Sequence, residues 1–208
     1  MHTMRLRGVV AAGVILSIVG VSAQGAMLSP GATLYPVPSE SDPLGGVIEA
    51  GPLASPFNTT TFSGTLTTHV ISGDTSNTLG GLTFVYELTS DSTSQNDIRR
   101  LTLNGFSAFA TDASYQVSTA RLSPSYVDRD ANGDVVGFGF LGAPIGFGAL
   151  APGEGSAVLV VQTDAPDWRP SFASVIDGTV ASTATYAPIP EPLTLGFMLL
   201  GMALVRRR

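Results

Sequence analysis

The densest chemistry in this chain lies in seven residues, Asp128-Arg129-Asp130-Ala131-Asn132-Gly133-Asp134. Carboxylates at Asp128, Asp130 and Asp134, with the Asn132 amide among them, follow the first half of a calcium-wrapping loop. In such a loop alternate side chains point inward and a glycine allows the bend. The twelfth position of the loop needs a bidentate carboxylate, and Gly139 stands there. The flanks read as strands rather than helices. The competing expectation is a β-hairpin with Asn132-Gly133 in a type I′ turn. A hairpin can still gather a weak ion at Asp128, Asp130, Asn132 and Asp134, so calcium is the one cofactor this sequence admits.

Other residue types capable of chemistry are scattered. His69 is the only histidine besides His2. One histidine cannot build a two-histidine metal site, and no Gly-x-Ser-x-Gly elbow accompanies it. A structural strand histidine is expected. Past the Pro-rich start of the chain, Glu49, Glu87 and Glu154 are the glutamates that precede the tail. Glycoside hydrolysis needs two carboxylates facing one bond, and nothing in the sequence links Glu87 to Glu154. Trp168, the single tryptophan, sits in "APDWRPSF" and is expected in a loop. An exposed indole there can stack on a sugar ring; the alternative is packing over the edge of the fold. Thr59, Thr61, Thr65 and Thr67 form a short period-2 ladder of the kind seen in some ice-binding surfaces. Threonine on the wet face of a strand is also ordinary.

The elements that must hold these residues are strands. Short runs rich in β-branched and aromatic residues recur about every ten residues, with Gly, Pro, Asn and Asp between them. The runs include "TTFSGTLTTHVISG", "GLTFVYELTS", "IRRLTLNGF", "SYQVSTARL" and "SAVLVVQT". The last is the most continuously apolar and is expected at a sheet centre. No capped 3.6-residue periodicity interrupts them. The expected fold is all-β, an antiparallel β-sandwich of jelly-roll-like type with seven to nine strands over residues 24–187. The Pro/Ser/Gly-rich start, "MLSPGATLYPVPSESDPLGG", reads as an extended lead-in with at most one edge strand.

Composition bounds the function classes. The chain has 208 residues, 44% of them hydrophobic, and no cysteine. Disulfides, thiolate metal sites and cysteine nucleophiles are therefore excluded. All ten basic residues are arginines; Arg5 and Arg7 lie at one end and Arg206, Arg207 and Arg208 at the other. The middle keeps five arginines against fifteen acids, so it is about −10 where the whole chain is −6. A face so acidic does not suit nucleic acid or an anionic membrane.

Both ends read as signals. Residues 1–23 carry Arg5 and Arg7, an apolar run from Val9 to Val21, and small residues Val21-Ser22-Ala23 before a cut. That is the pattern of a secretory signal peptide cleaved after Ala23. At the other end Pro190-Glu191-Pro192 precedes the apolar run Leu193–Val205, and Arg206-Arg207-Arg208 closes the chain. Thirteen residues of helix rise about 20 Å against a hydrocarbon core of about 30 Å. The arginines can snorkel to the far interface, and they hold that end in the cytoplasm. A short transmembrane helix over 193–205 is expected, with the domain outside.

The three parts in this order, "PEPLTLGFMLLGMALVRRR", resemble the PEP-CTERM sorting signal of Gram-negative bacteria. The resemblance covers residues 188–208, about a tenth of the chain. It implies recognition by exosortase, a transpeptidase-like membrane enzyme thought to cut near the Pro-Glu-Pro motif, and delivery to the cell surface or the exopolysaccharide matrix. "SVIDGTVAS" and "LAPGEGSAVLVVQTDAP" are loosely similar to the ends of sandwich domains that carry this tail. The functional expectation is an exported, non-enzymatic protein that is structural, adhesive or carbohydrate-binding. Its partners would be exosortase, the membrane through its tail, and exopolysaccharide. The alternative is a secreted carbohydrate-active hydrolase on the same scaffold.

Overall fold

The structure, a computed structural model, describes residues 25–40, 43, 45–117, 120–140 and 148–189. The expected signal peptide, the motif Pro190-Glu191-Pro192, the run 193–205 and Arg206–Arg208 lie outside the described residues. Among the described residues no helix is long and apolar enough to cross a membrane.

The fold is all-β. The described strands are β1 (Ala26–Met27), β2 (Thr33–Leu34), β3 (Ser39–Glu40), β4 (Val47–Asn58), β5 (Ser63–Ser72), β6 (Thr83–Ser90) and β7 (Arg100–Asn104). They continue with β8 (Thr111–Gln116), β9 (Tyr126–Arg129), β10 (Val135–Gly139), β11 (Leu159–Thr163), β12 (Trp168–Asp177) and β13 (Thr179–Pro188). One sheet has the order β1-β8-β11-β6-β5-β4, with β3 added to β8; the other runs β13-β12-β7-β10-β9-β2. Every pairing is antiparallel except β3 with β8.

The alternation in the sequence decides which way each strand faces. Along β5, Leu66, Thr68 and Val70 are buried while Thr65, Thr67 and His69 stay half-exposed. Strand β11 is buried at every position and lies between β8 and β6, as its unbroken apolar run predicts. The two sheets share one core in which the Phe84 and Phe106 rings meet edge-on at 5.9 Å. Each such fully buried side chain contributes about 1.5–3 kcal/mol. Polar contacts also cross between the sheets. Thr68 and Thr185 hydroxyls lie 3.1 Å apart in the interior, and the Tyr86 hydroxyl donates to the Tyr186 carbonyl at 3.2 Å.

The lead-in departs from expectation. Residues 26–40 form three two-residue strands on both sheets rather than at most one edge strand, so ten longer strands and three short ones are described. Trp168 is likewise the first residue of β12, paired with Pro188, rather than a loop residue. Its ring meets Tyr186 edge-on at 4.9 Å and packs against the core.

Candidate functional site

The outer face of the second sheet gathers the most functional groups. Strand β10 reads Val-Val-Gly-Phe-Gly, and its buried Val136 and Phe138 leave Gly137 and Gly139 on the opposite face. These glycines leave room. A Cβ at Gly137 would fall 2.2 Å from Arg100 Nη2, and one at Gly139 would fall 2.1 Å from the Tyr126 ring. Arg100 therefore reaches from β7 across β10 to β9. Its Nη2 donates to Asp128 Oδ1 at 2.6 Å and its Nη1 to the Tyr126 hydroxyl at 3.1 Å. The guanidinium also stands 5.8 Å from the Tyr126 ring centre. Burial works against the Arg100 charge, but the hydrogen bond and charge of Asp128 outweigh it, and the pKa is raised. On the far side of β7, Asn104 donates to the Phe172 carbonyl at 3.2 Å, and the Phe172 ring is 65% exposed. The outer face of this sheet thus carries two aromatic rings, a fixed guanidinium, a carboxylate and an amide.

Two of the four expected calcium ligands have partners within the chain. Asp128 is committed to Arg100, and Asp130 Oδ1 accepts the Val135 N–H at 3.0 Å. Among the described residues no three His, Cys, Asp or Glu side chains stand close enough together to hold a metal ion. The hairpin is present, but not with a type I′ turn. Gly133 N–H donates to the Asp130 carbonyl, Gly133 has φ of +74°, and no described non-glycine residue has positive φ. Asn132 thus lies outside the left-handed region that a type I′ turn demands of both central residues. The geometry is a type I turn closed by one left-handed glycine.

Arg129, the residue between those acids, turns inward and is 4% exposed. Among the described residues it has no ion-pair partner. Its guanidinium donates to the carbonyls of Gly133, Leu28, Phe106 and Phe109 at 2.6–3.0 Å. Burial lowers its pKa, while Asp130, Asp134 and Asp164 pull the other way. Nothing in the sequence distinguishes it from Arg100 except strand parity, which places alternate residues on opposite faces.

Of the other sequence candidates, His69 and Glu87 lie near each other on the paired strands β5 and β6. His69 points outward on β5; burial lowers its pKa and the Glu87 charge opposes this. Glu87 accepts from Arg121 at 2.7 Å. Glu154 accepts the Ala151 N–H at 3.0 Å and borders a shallow depression of about 280 Å³ that Arg121 also lines. Thr59 closes its own turn, accepting from Thr61 and Phe62 N–H, so it leaves the ladder formed by Thr65 and Thr67.

Among the described residues four acids not singled out in the sequence are buried, Glu40, Asp74, Asp112 and Asp177. Glu40, from the lead-in, accepts from Ser114 at 2.5 Å, and Asp112 lies on the same strand as Ser114. Burial raises both pKa values, Asp112 to about 7, and the Glu40 charge adds to the rise at Asp112.

Comparison with protein-family models, with curated proteins and with solved structures finds no match.

Proposed function

We propose that this chain is an exported protein of the cell surface or exopolysaccharide matrix, carried by a β-sandwich related to the jelly roll. The chain passes repeatedly from one sheet to the other, as from β6 to β7 and from β7 to β8, which supports the jelly-roll likeness. Residues 1–23 act as a cleaved signal peptide, and 188–208 as a PEP-CTERM signal read by exosortase while 193–205 hold the membrane. The observation that carries the sorting claim is the order Pro190-Glu191-Pro192, apolar run, Arg206-Arg207-Arg208.

The sandwich itself is structural or adhesive, not catalytic, and meets polysaccharide on the strip between Tyr126 and Phe172. Apolar ring faces beside fixed hydrogen-bonding groups are what neutral sugars need. The test is retention on the producer's exopolysaccharide. Tyr126→Ala and Phe172→Ala should each weaken retention several-fold while leaving the fold intact; unchanged retention in both would remove this face from the account. A hydrolase is the second reading, supported by Arg121 standing between Glu87 and the Glu154 loop. Loss of polysaccharide hydrolysis in Glu87→Gln or Glu154→Gln would establish it instead.

A further inference from the structure

Strand register divides the outer face of the second sheet into three lines of residues that cross the strands. Leu101, Leu103, Phe138, Val175 and Ala181 turn into the core, so their chain neighbours turn outward. The first line pairs Tyr126 with Gly139, Gly139 with Arg100, Arg100 with Ile176 and Ile176 with Val180. The second runs in the same way through Asp128, Gly137, Thr102, Ser174 and Ser182. The third pairs Val135 with Asn104 and Phe172 with Ala184, and the Asn104 amide reaches the Phe172 carbonyl between them.

The three lines differ in chemistry. The middle one carries the hydroxyls of Thr102, Ser174 and Ser182, with Thr102 held by its bond to the Ser174 carbonyl at 3.4 Å. The first is apolar apart from Arg100, and the third apart from Asn104. Val180 and Phe172 stand 62% and 65% exposed in them. Arg100 and Asp128 are the only charges in the three lines, and they are joined to each other at 2.6 Å. Strands lie about 4.8 Å apart, so a line over β9, β10, β7, β12 and β13 is about 19 Å long. A polar line between two apolar ones fits a narrow, extended, amphipathic ligand. A sugar chain has that character, with hydroxyls for the middle and C–H faces for the rings and aliphatic groups beside it. Charge narrows the choice. The chain between its two ends is about −10, which repels acidic polymers and a second copy of itself, while the balanced face admits a neutral chain.

We propose that this face takes a neutral, linear polysaccharide laid across the strands along Asp128, Thr102, Ser174 and Ser182, and so reads several consecutive sugars within a chain rather than a chain end. The inference rests on the polysaccharide reading above. It adds the direction of the ligand, its minimum length and a far contact at Val180 on β13.

The test is calorimetric titration of the protein, purified from its producer, with fragments of that cell's exopolysaccharide. The fragments are separated by ion exchange into neutral and acidic pools and then by length. Affinity for neutral fragments should rise at least tenfold from disaccharides to fragments that cross all five strands, then level off. Acidic fragments of equal length should bind several-fold more weakly. Val180→Ser, at an exposed position, should weaken the long neutral fragments several-fold. Equal affinity for disaccharides and long fragments would overturn the proposal, as would a preference for acidic fragments or unchanged binding in Val180→Ser. A protein that dimerises through this face and binds no fragment would overturn it in favour of a second copy. Retention that Tyr126→Ala weakens, without dependence on fragment length, would sink this inference and leave the polysaccharide reading standing. No retention by the unaltered protein would sink both.

Discussion

Arg100 Nη2 lies 2.6 Å from Asp128 Oδ1 across a glycine, and that ion pair engages one oxygen of the first carboxylate in the expected calcium pattern. The expected outcome is a melting temperature indifferent to chelator and to added calcium. Asp128→Asn should cost only about 0.5–1 kcal/mol, the range for partly exposed ion pairs. Gly137→Val should cost more, because its side chain must displace Arg100. Calorimetry with EDTA and with millimolar calcium checks the first point; a rise of several degrees with calcium would restore the metal site.

Arg129 should matter far more than Arg100. Replacing it with Met strands four buried carbonyls from Gly133, Leu28, Phe106 and Phe109. A loss of about 3 kcal/mol or more is expected. Arg129→Lys keeps the charge but not the planar fork, so it should recover less than half of that loss. Urea unfolding measures both, and a cost under about 1 kcal/mol for the Met variant would contradict the role.

What the sequence made legible followed strict local patterns. The Val135–Gly139 strand with its hairpin, the buried run at Leu159–Thr163 and the outward Thr65, Thr67 and His69 all follow from alternation and turn chemistry. The burial of Glu40 was not legible. It depends on a parallel pairing between β3 and β8, whose residues lie 76 positions apart at Ser39 and Tyr115. Nor was the commitment of Asp128, which depends on Arg100 finding two glycines on an intervening strand. The flanking Asp167, Arg169 and Pro170 suggest a loop at Trp168, yet β12 starts there and accommodates Pro170 opposite Tyr186.

The buried acids make a pH prediction whose sign is fixed. Burial first, and the Glu40 charge second, lift the Asp112 carboxyl from 3.8 to about 7. Between those values the native chain holds a proton that the unfolded chain has released. Stability from this source is full below the unfolded value and is lost as pH rises through 7. The urea midpoint should fall between pH 4 and pH 8, and Asp112→Asn should flatten the curve. A midpoint independent of pH would contradict the prediction.

The central claim is that both ends of the chain are addresses removed in transit. Mass spectrometry of the protein recovered from the surface or matrix fraction tests it most directly. The account predicts a chain that begins at Gln24 and ends near Pro190-Glu191-Pro192, without Arg206, Arg207 and Arg208. Surface material that retains those three arginines would contradict it.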